Sequence, residues 1–340
     1  MESSPLGVIF VVEPWNYPYY QVARFAAPNL MAGNVVMVKH ASNVPQCALA
    51  IGQLFEDAGA PKGAYTNLFA SKNQVARLID DPRVRGVALT GGEAAGAVVA
   101  ARAGSNLKKT TLELGGSDAF IVLDDADLSL AVKHAVSGRM GNAGQACTAS
   151  KRFIVVESIA DQFLEQFRAA LTAFHPGDPM DSKTRLAPLS SHAALDKLLE
   201  QVHAALSHGA SALMGGKRIP DLEGAFMQPT ILCDISADNP AYSQEFFGPV
   251  ALFFKVPDEA AAIALANDSP FGLGGSVFTQ DAVRGERVAQ HIDTGMVFIN
   301  SAAVSMPDLP FGGVKNSGYG RELSAAGIHE FVNKKLIRVA

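Results

Sequence analysis

Cysteine and charge are both scarce in this chain. The three cysteines, Cys47, Cys147 and Cys233, are odd in number and far apart. That spacing argues against a disulfide framework and for a reducing compartment, with the cytoplasm as the default. Charged residues make up 18% of the sequence and the net charge is −5. With no Lys/Arg block there is no electrostatic footprint for nucleic acid. No apolar run is long enough for a membrane span: residues 6–12 are too few, and Met1-Glu2-Ser3-Ser4 carries no positive side chain to open a signal peptide. The histidines His134, His175, His192, His203 and His208 lack His-Glu-x-x-His or Cys-x-x-Cys partners, so they read as surface residues and no metal site is expected. Repeats and low-complexity tracts are absent.

What is present is apolar. Hydrophobic residues account for 48% of 340 positions, enough for roughly two domains with buried cores. The run 6–12 is continuous and β-branched, as in a buried parallel strand. A helix is expected over 19–32, a strand over 35–38, and a helix from Pro45 towards Gly59. Strands at 65–69, 86–90 and 109–114 alternate with helices near 73–80 and 93–103. This rhythm predicts a doubly wound parallel sheet. It repeats after Gly115, with strands at 119–122, 152–156, 228–232, 250–255, 273–278 and 295–299. Helices fall from Asp127 and over 158–173, 191–206, 257–266 and 281–290. The expected fold class is therefore α/β with two doubly wound, Rossmann-like domains: 1–115, 116–315, and a return segment 316–340 ending in an edge strand at 335–339.

Candidate chemistry centres on Gly141-Asn142-Ala143-Gly144-Gln145-Ala146-Cys147-Thr148. Small residues let the backbone crowd a thiolate and donate N–H groups to it. Glu113, between Leu112 and Leu114, would be partly desolvated, which raises a carboxyl towards general-base range. A buried cysteine and a surface glutamate remain the plain alternative. Asn16, after the first strand, is either an oxyanion donor or a helix cap. Thr90-Gly91-Gly92-Glu93-Ala94-Ala95-Gly96 joins a strand to a helix, a turn that suits a pyrophosphate although many such turns bind nothing. Arg24 sits among Val22, Ala23 and Phe25, where it needs an anion or a salt bridge.

The pair Leu-Glu-Leu-Gly-Gly (112–116) and Gly-Gln-Ala-Cys (144–147) resembles the signature pair of the aldehyde dehydrogenase superfamily. Glu-Pro-Trp-Asn-Tyr-Pro (13–18), Leu-Thr-Gly-Gly (89–92), Glu-Phe-Phe-Gly-Pro (245–249), Asn-Asp-Ser-Pro-Phe-Gly-Leu (267–273) and Pro-Phe-Gly-Gly-Val-Lys-Asn-Ser-Gly-Tyr-Gly-Arg-Glu (310–322) agree in order. The resemblance implies that Cys147 is the nucleophile, Glu113 the water-activating base, and Asn16 the oxyanion donor together with the Cys147 N–H. It implies cofactor contacts from Trp15, Lys39, Ser42, Thr90, Gly91, Gly92, Gly96, Leu114, Glu245 and Phe247. Gly92 replaces a usual serine. Ser42 stands where a glutamate commonly takes the ribose hydroxyls. A carboxylate there would repel a 2′-phosphate, so Ser42 beside Lys39 favours NADP, with NAD the alternative.

Arg24 aligns with an arginine that binds the substrate carboxylate in succinate-semialdehyde dehydrogenases, and Ser305 with a serine of the same pocket. A second such arginine is Gly141 here. The implied substrate is a small aldehyde, succinate semialdehyde first, and the implied assembly a homo-oligomer, dimer or tetramer. Relative to the family, elements ahead of the Pro-Trp-Asn motif are missing, which keeps a catalytically silent binding or scaffold protein as the rival reading. A CoA-acylating enzyme would not need Glu113.

Overall fold

The computed structural model describes residues 1–220 and 222–340. Two compact units emerge, Met1–Gly115 with Ser305–Ala340, and Gly116–Val304. In chain order the first unit begins with β1 (Glu2–Pro5), β2 (Val8–Glu13), α1 (Tyr20–Met31), β3 (Val35–His40), α2 (Pro45–Asp57), β4 (Tyr65–Asn67), α3 (Lys72–Asp80), β5 (Val84–Thr90), α4 (Glu93–Ser105) and β6 (Lys109–Glu113). The second contributes β7 (Asp118–Val122), α5 (Leu128–Met140), β8 (Ser150–Val156), α6 (Glu157–Thr172), α7 (His192–Ser207), β9 (Ser211–Met214), β10 (Thr230–Cys233), β11 (Val250–Val256), α8 (Glu259–Asn267), β12 (Phe271–Gly272), β13 (Gly274–Phe278), α9 (Ala282–Gln290) and β14 (Met296–Ile299). The chain then returns through β15 (Val314–Lys315), β16 (Gly318–Tyr319), α10 (Ser324–Ile328) and β17 (Val332–Lys335).

The first unit is built on a six-stranded sheet of order β16-β6-β5-β2-β3-β4, parallel except for β16. Period-2 alternation splits its apolar residues between two faces. Ile9, Val11, Val36 and Val38 pack against Val22, Phe25 and Ala26 of α1, while Phe10, Val87, Leu89 and Leu112 pack against Ile79 of α3 and Val99 and Ala103 of α4. By the same alternation Glu13, Thr90 and Glu113, each last in its strand, lie on the α1 face. The register puts His40 opposite Glu13 and Thr90 opposite Glu113, with Glu13 one step past the Val12–Leu89 pair. A polar row therefore crosses the carboxyl ends of four neighbouring strands.

The second unit carries a seven-stranded sheet, β14-β13-β7-β8-β11-β10-β9, in which β9 alone is antiparallel. Its core stacks Phe120, Phe153, Phe163, Phe167 and Phe278, all of them at most 1% exposed. Each fully buried ring contributes on the order of 1.5–3 kcal/mol. A register shift also occurs on β8. Asp118 pairs with Ser150 and Ala119 with Arg152, so Lys151 is the extra residue of a bulge on β8.

The C-terminal edge strand lies at Val332–Lys335, not at 335–339, because its partner β1 covers only four residues, antiparallel from Glu2↔Lys335 to Pro5↔Val332. Beyond it Leu336, Ile337 and Val339 are exposed. Among the described residues no helix is long and apolar enough to cross a membrane.

Candidate active site

In the second unit, α5 runs into the tight turn Gly141–Gly144, where Asn142 and Ala143 take left-handed backbone angles (φ 51° and 53°). Gly144 also has positive φ (78°), and a Cβ there would lie 2.3 Å from the Gly248 carbonyl oxygen, so only glycine fits. Gln145 anchors the end of the turn: its side-chain amide donates to the Asn142 carbonyl (3.1 Å) and its oxygen accepts the Ser190 N–H (2.9 Å). Cys147 emerges from this turn half-buried. The thiol is thus neither fully buried, the plain alternative of the sequence, nor fully exposed.

The loop is gripped from below by Lys151. Its fully buried ammonium donates to the carbonyls of Ala146 (2.8 Å) and Cys147 (2.5 Å) and pairs with Glu245 (3.0 Å). The same Glu245 oxygen accepts the Gly116 N–H (3.2 Å). Nearby, burial pushes the Asp118 carboxyl up to about 6, against the pull of Lys151 and the Gly274 N–H. Of the two adjacent phenylalanines, Phe246 is core at 0% exposure and Phe247 is half-buried.

In the first unit, Glu113 ends β6 at 3% exposure, and neither carboxylate oxygen meets a hydrogen-bond donor among the described residues. Desolvation, then the charge of Glu322, raise it well above the ordinary carboxyl value, while Arg24 and Arg321 oppose them. Gly312, with φ +150°, passes so close that a Cβ would sit 2.7 Å from Glu113 Oε1. The Pro310–Gly313 motif thus walls the carboxylate in. Leu114 is buried beside it.

Glu13 belongs to the same cluster and escaped sequence reasoning. It is 1% exposed, and burial, reinforced by Glu322, pushes it from 4.5 to about 8. Its partner in the row, His40, is held towards its neutral form by burial, with Nε2 3.2 Å from the Pro18 carbonyl. An acid closing an apolar run directly before Pro14 was the available signal.

Arg24 is also buried, at 5% exposure. It forms an ion pair with Glu322 and lies over the Phe311 ring, 4.0 Å from its centroid. The salt-bridged alternative left open by the sequence is therefore present, through a partner 298 residues away. On the same helix, Tyr20 meets Ser305 through their hydroxyls at 2.7 Å. Removing one member of a buried pair leaves the other charge uncompensated. Arg24→Met should therefore lower unfolding stability by about 3–5 kcal/mol in urea titration, and adding Glu322→Gln should restore most of it. A single variant as stable as the parent would show the pair to be dispensable.

Asn16 does not cap α1, whose N-cap is Tyr19 with no side-chain cap; its oxygen instead accepts from the Gln21 amide (3.0 Å). Trp15 beside it is half-buried. Ser42 is exposed and does not cap α2, which starts after Val44. Lys39, half-buried, donates to the His40 carbonyl (3.0 Å), and desolvation lowers its pKa. Thr90, Gly91 and Gly92 lead from β5 into α4. Gly92 is the N-cap and supplies no side-chain cap, and a Cβ there would meet nothing within 4 Å. Gly96 is packed so tightly on Leu114 that a Cβ would lie 2.6 Å away. An uncapped helix N-terminus after β5, on the same sheet whose β3 ends at Lys39 and His40, could hold a dinucleotide phosphate; Glu93 in the first turn is an unfavourable charge for it.

Comparisons with known proteins give the family. The profile of the aldehyde dehydrogenase family matches residues 1–337. The chain is 56% identical over 335 residues to succinate-semialdehyde dehydrogenase [NADP(+)] of Deinococcus radiodurans, covering 98% of this chain and 70% of the relative. It is 50% identical over 337 residues to a probable enzyme of the same name from Synechocystis, covering 99% and 74%. The crystal structure of succinic semialdehyde dehydrogenase from Streptococcus pyogenes in complex with NADP+ superposes with a TM-score of 0.97 at 51% identity, over 99% of this chain and 74% of that one. Sequence, fold and motif order together establish that the chain belongs to the aldehyde dehydrogenase family and has its two-sheet α/β fold.

Proposed function

We propose that the protein oxidises a small aldehyde carrying a distal carboxylate, succinate semialdehyde first, to the acid with NADP. The observation that carries this reading is Glu113: a carboxylate buried without a donor, raised in pKa and walled by glycine has the makings of a general base. The names and bound cofactor of the relatives support the substrate and NADP. The scaffold reading finds no support among them.

In the proposed reaction the Cys147 thiolate adds to the aldehyde carbon, and the Asn16 amide with the Cys147 N–H stabilises the resulting oxyanion. NADP, when bound, supplies the acceptor for the hydride. Lys39 and Ser42 would hold its 2′-phosphate, the amides from Thr90 through Gly96 its pyrophosphate, and Glu245 the nicotinamide ribose, with Trp15, Leu114 and Phe247 as packing surfaces. Loss of the hydride from the thiohemiacetal carbon leaves a thioester on Cys147; Glu113 then accepts a proton from water, whose oxygen attacks that carbon, and the C–S bond breaks to release the acid and the thiolate. Ser305 is the group left to orient the distal carboxylate, because Arg24 is buried and committed to Glu322. Exposed Leu336, Ile337 and Val339 support a homo-oligomer in which they are covered; the scarce, widely spaced cysteines support the cytoplasm as its location.

Purified protein given succinate semialdehyde or propanal, each with NADP or NAD, tests the reading by reduced-nicotinamide absorbance. The carboxylate-bearing aldehyde with NADP should give the highest kcat/KM. Ser42→Glu should shift the NADP/NAD ratio of kcat/KM at least about tenfold towards NAD, the equivalent of about 1.4 kcal/mol. No turnover with either aldehyde refutes the assignment.

A further inference from the structure

The bulge on β8 aims a lysine into the floor of the nucleophile's loop. Bulges re-aim one side chain, and here the extra residue is Lys151, between Ser150 and Arg152, each of which keeps its partner on β7. Its side chain is 0% exposed. A buried ammonium survives only if its donors are used. It has three, and three acceptors meet it: the Ala146 carbonyl at 2.8 Å, the Cys147 carbonyl at 2.5 Å and the Glu245 carboxylate at 3.0 Å.

We propose that Lys151 is a positioning residue that holds Cys147 and Glu245 on one ammonium and biases the thiol towards thiolate. The inference rests on the reading of Cys147 as nucleophile and Glu245 as ribose ligand. A positive charge bound to the nucleophile's own carbonyl favours the ionised thiol. Glu245 partly cancels that charge. Two substitutions should therefore move the thiol in opposite directions: Lys151→Met removes the cation, and Glu245→Gln removes its counter-charge. A lysine that merely fills space would leave it unmoved in Lys151→Met.

The groups facing this cation come from several elements. Asp118 at the start of β7, Arg139 on α5 and Arg152 on β8 all interact electrostatically with the Glu245–Asp118 neighbourhood. Arg139 donates to the Gly144 (2.7 Å) and Val250 (3.2 Å) carbonyls, and Arg152 donates to the Ser117, Leu265 and Ala266 carbonyls (2.8 Å each). Lys151 alone among them reaches the carbonyl of Cys147.

The test is iodoacetamide alkylation of Cys147 across pH, read on its own peptide by mass spectrometry so that Cys47 and Cys233 do not interfere. It needs no turnover, so it stands apart from the aldehyde assay. In Lys151→Met the alkylation midpoint should rise by about one pH unit, making modification at neutral pH about tenfold slower. In Glu245→Gln it should fall. If Lys151→Met does not fold, Lys151→Gln, which keeps amide donors for the carbonyls but not the charge, carries the test with the same expected rise. A midpoint at the parent value in either folded variant, or a shift of both in one direction, overturns the proposal. Parent protein that alkylates with the expected profile yet oxidises no aldehyde would instead sink the functional reading and leave the clamp standing.

Discussion

Cys147→Ala should abolish aldehyde oxidation while leaving the NADP affinity within about twofold of the parent. The two halves of that result come from different atoms. The sulfur forms the covalent bond, and a lost nucleophile costs roughly 10⁴–10⁶ in kcat. The loop that presents it is held by its backbone instead: Lys151 binds the Ala146 and Cys147 carbonyls, the Ala149 N–H bonds back to Ala146, and Gln145 ties the turn at both ends. None of these bonds uses the thiol. Truncating a half-buried side chain in such a frame should change stability little. Steady-state assay with succinate semialdehyde, alongside calorimetric titration with NADP, separates the two. Turnover within a hundredfold of the parent would remove Cys147 from the chemistry, and lost NADP binding would mean that the loop had collapsed.

The alternation of strands and helices was legible because each element carries its own signal. Apolar β-branched runs such as 35–38 and 250–255, and Pro45 at a helix start, matched what formed. Elements without a local signal were not. β9, Ser211–Met214, is only four residues long and mostly exposed, too short to show a period; it pairs on the edge that β10 offers. The 335–339 segment has the right residues for a strand, but β1 pairs one stretch earlier. The same division runs through the site. Cys147 and Glu113 sit in motifs, so their neighbours along the chain betray them. The partners that set their environment do not: Glu322 reaches Arg24 across 298 positions, and Glu13 reaches the cluster only through the β2–β5 register. Lys151 lay just outside the strand expected at 152–156, because a bulge is invisible to period-2 reading.

Glu113→Gln should uncouple the two halves of the reaction. Hydride transfer does not require the carboxylate, so one equivalent of reduced nicotinamide should appear in a rapid burst. Hydrolysis does require it, so steady-state turnover should fall by about 10²–10⁴-fold and a succinyl adduct on Cys147 should accumulate in the mass spectrum. The parent's pH dependence fixes the sign. Burial and Glu322 raise the Glu113 pKa well above that of a free carboxyl. The protonated acid cannot accept a proton, so hydrolysis-limited turnover should climb as pH rises through that raised value, and the glutamine variant should lose the climb. Stability should move the other way. Between the ordinary carboxyl value of 4.5 and the raised ones, about 8 for Glu13, the folded protein holds protons that the unfolded chain has released. Unfolding free energy therefore falls with rising pH across that window. Glu113→Gln removes one of the two groups and should flatten that fall in urea titrations from pH 5 to 8. A variant without a burst would place Glu113 before hydride transfer. Unchanged steady-state turnover would take it out of the reaction altogether.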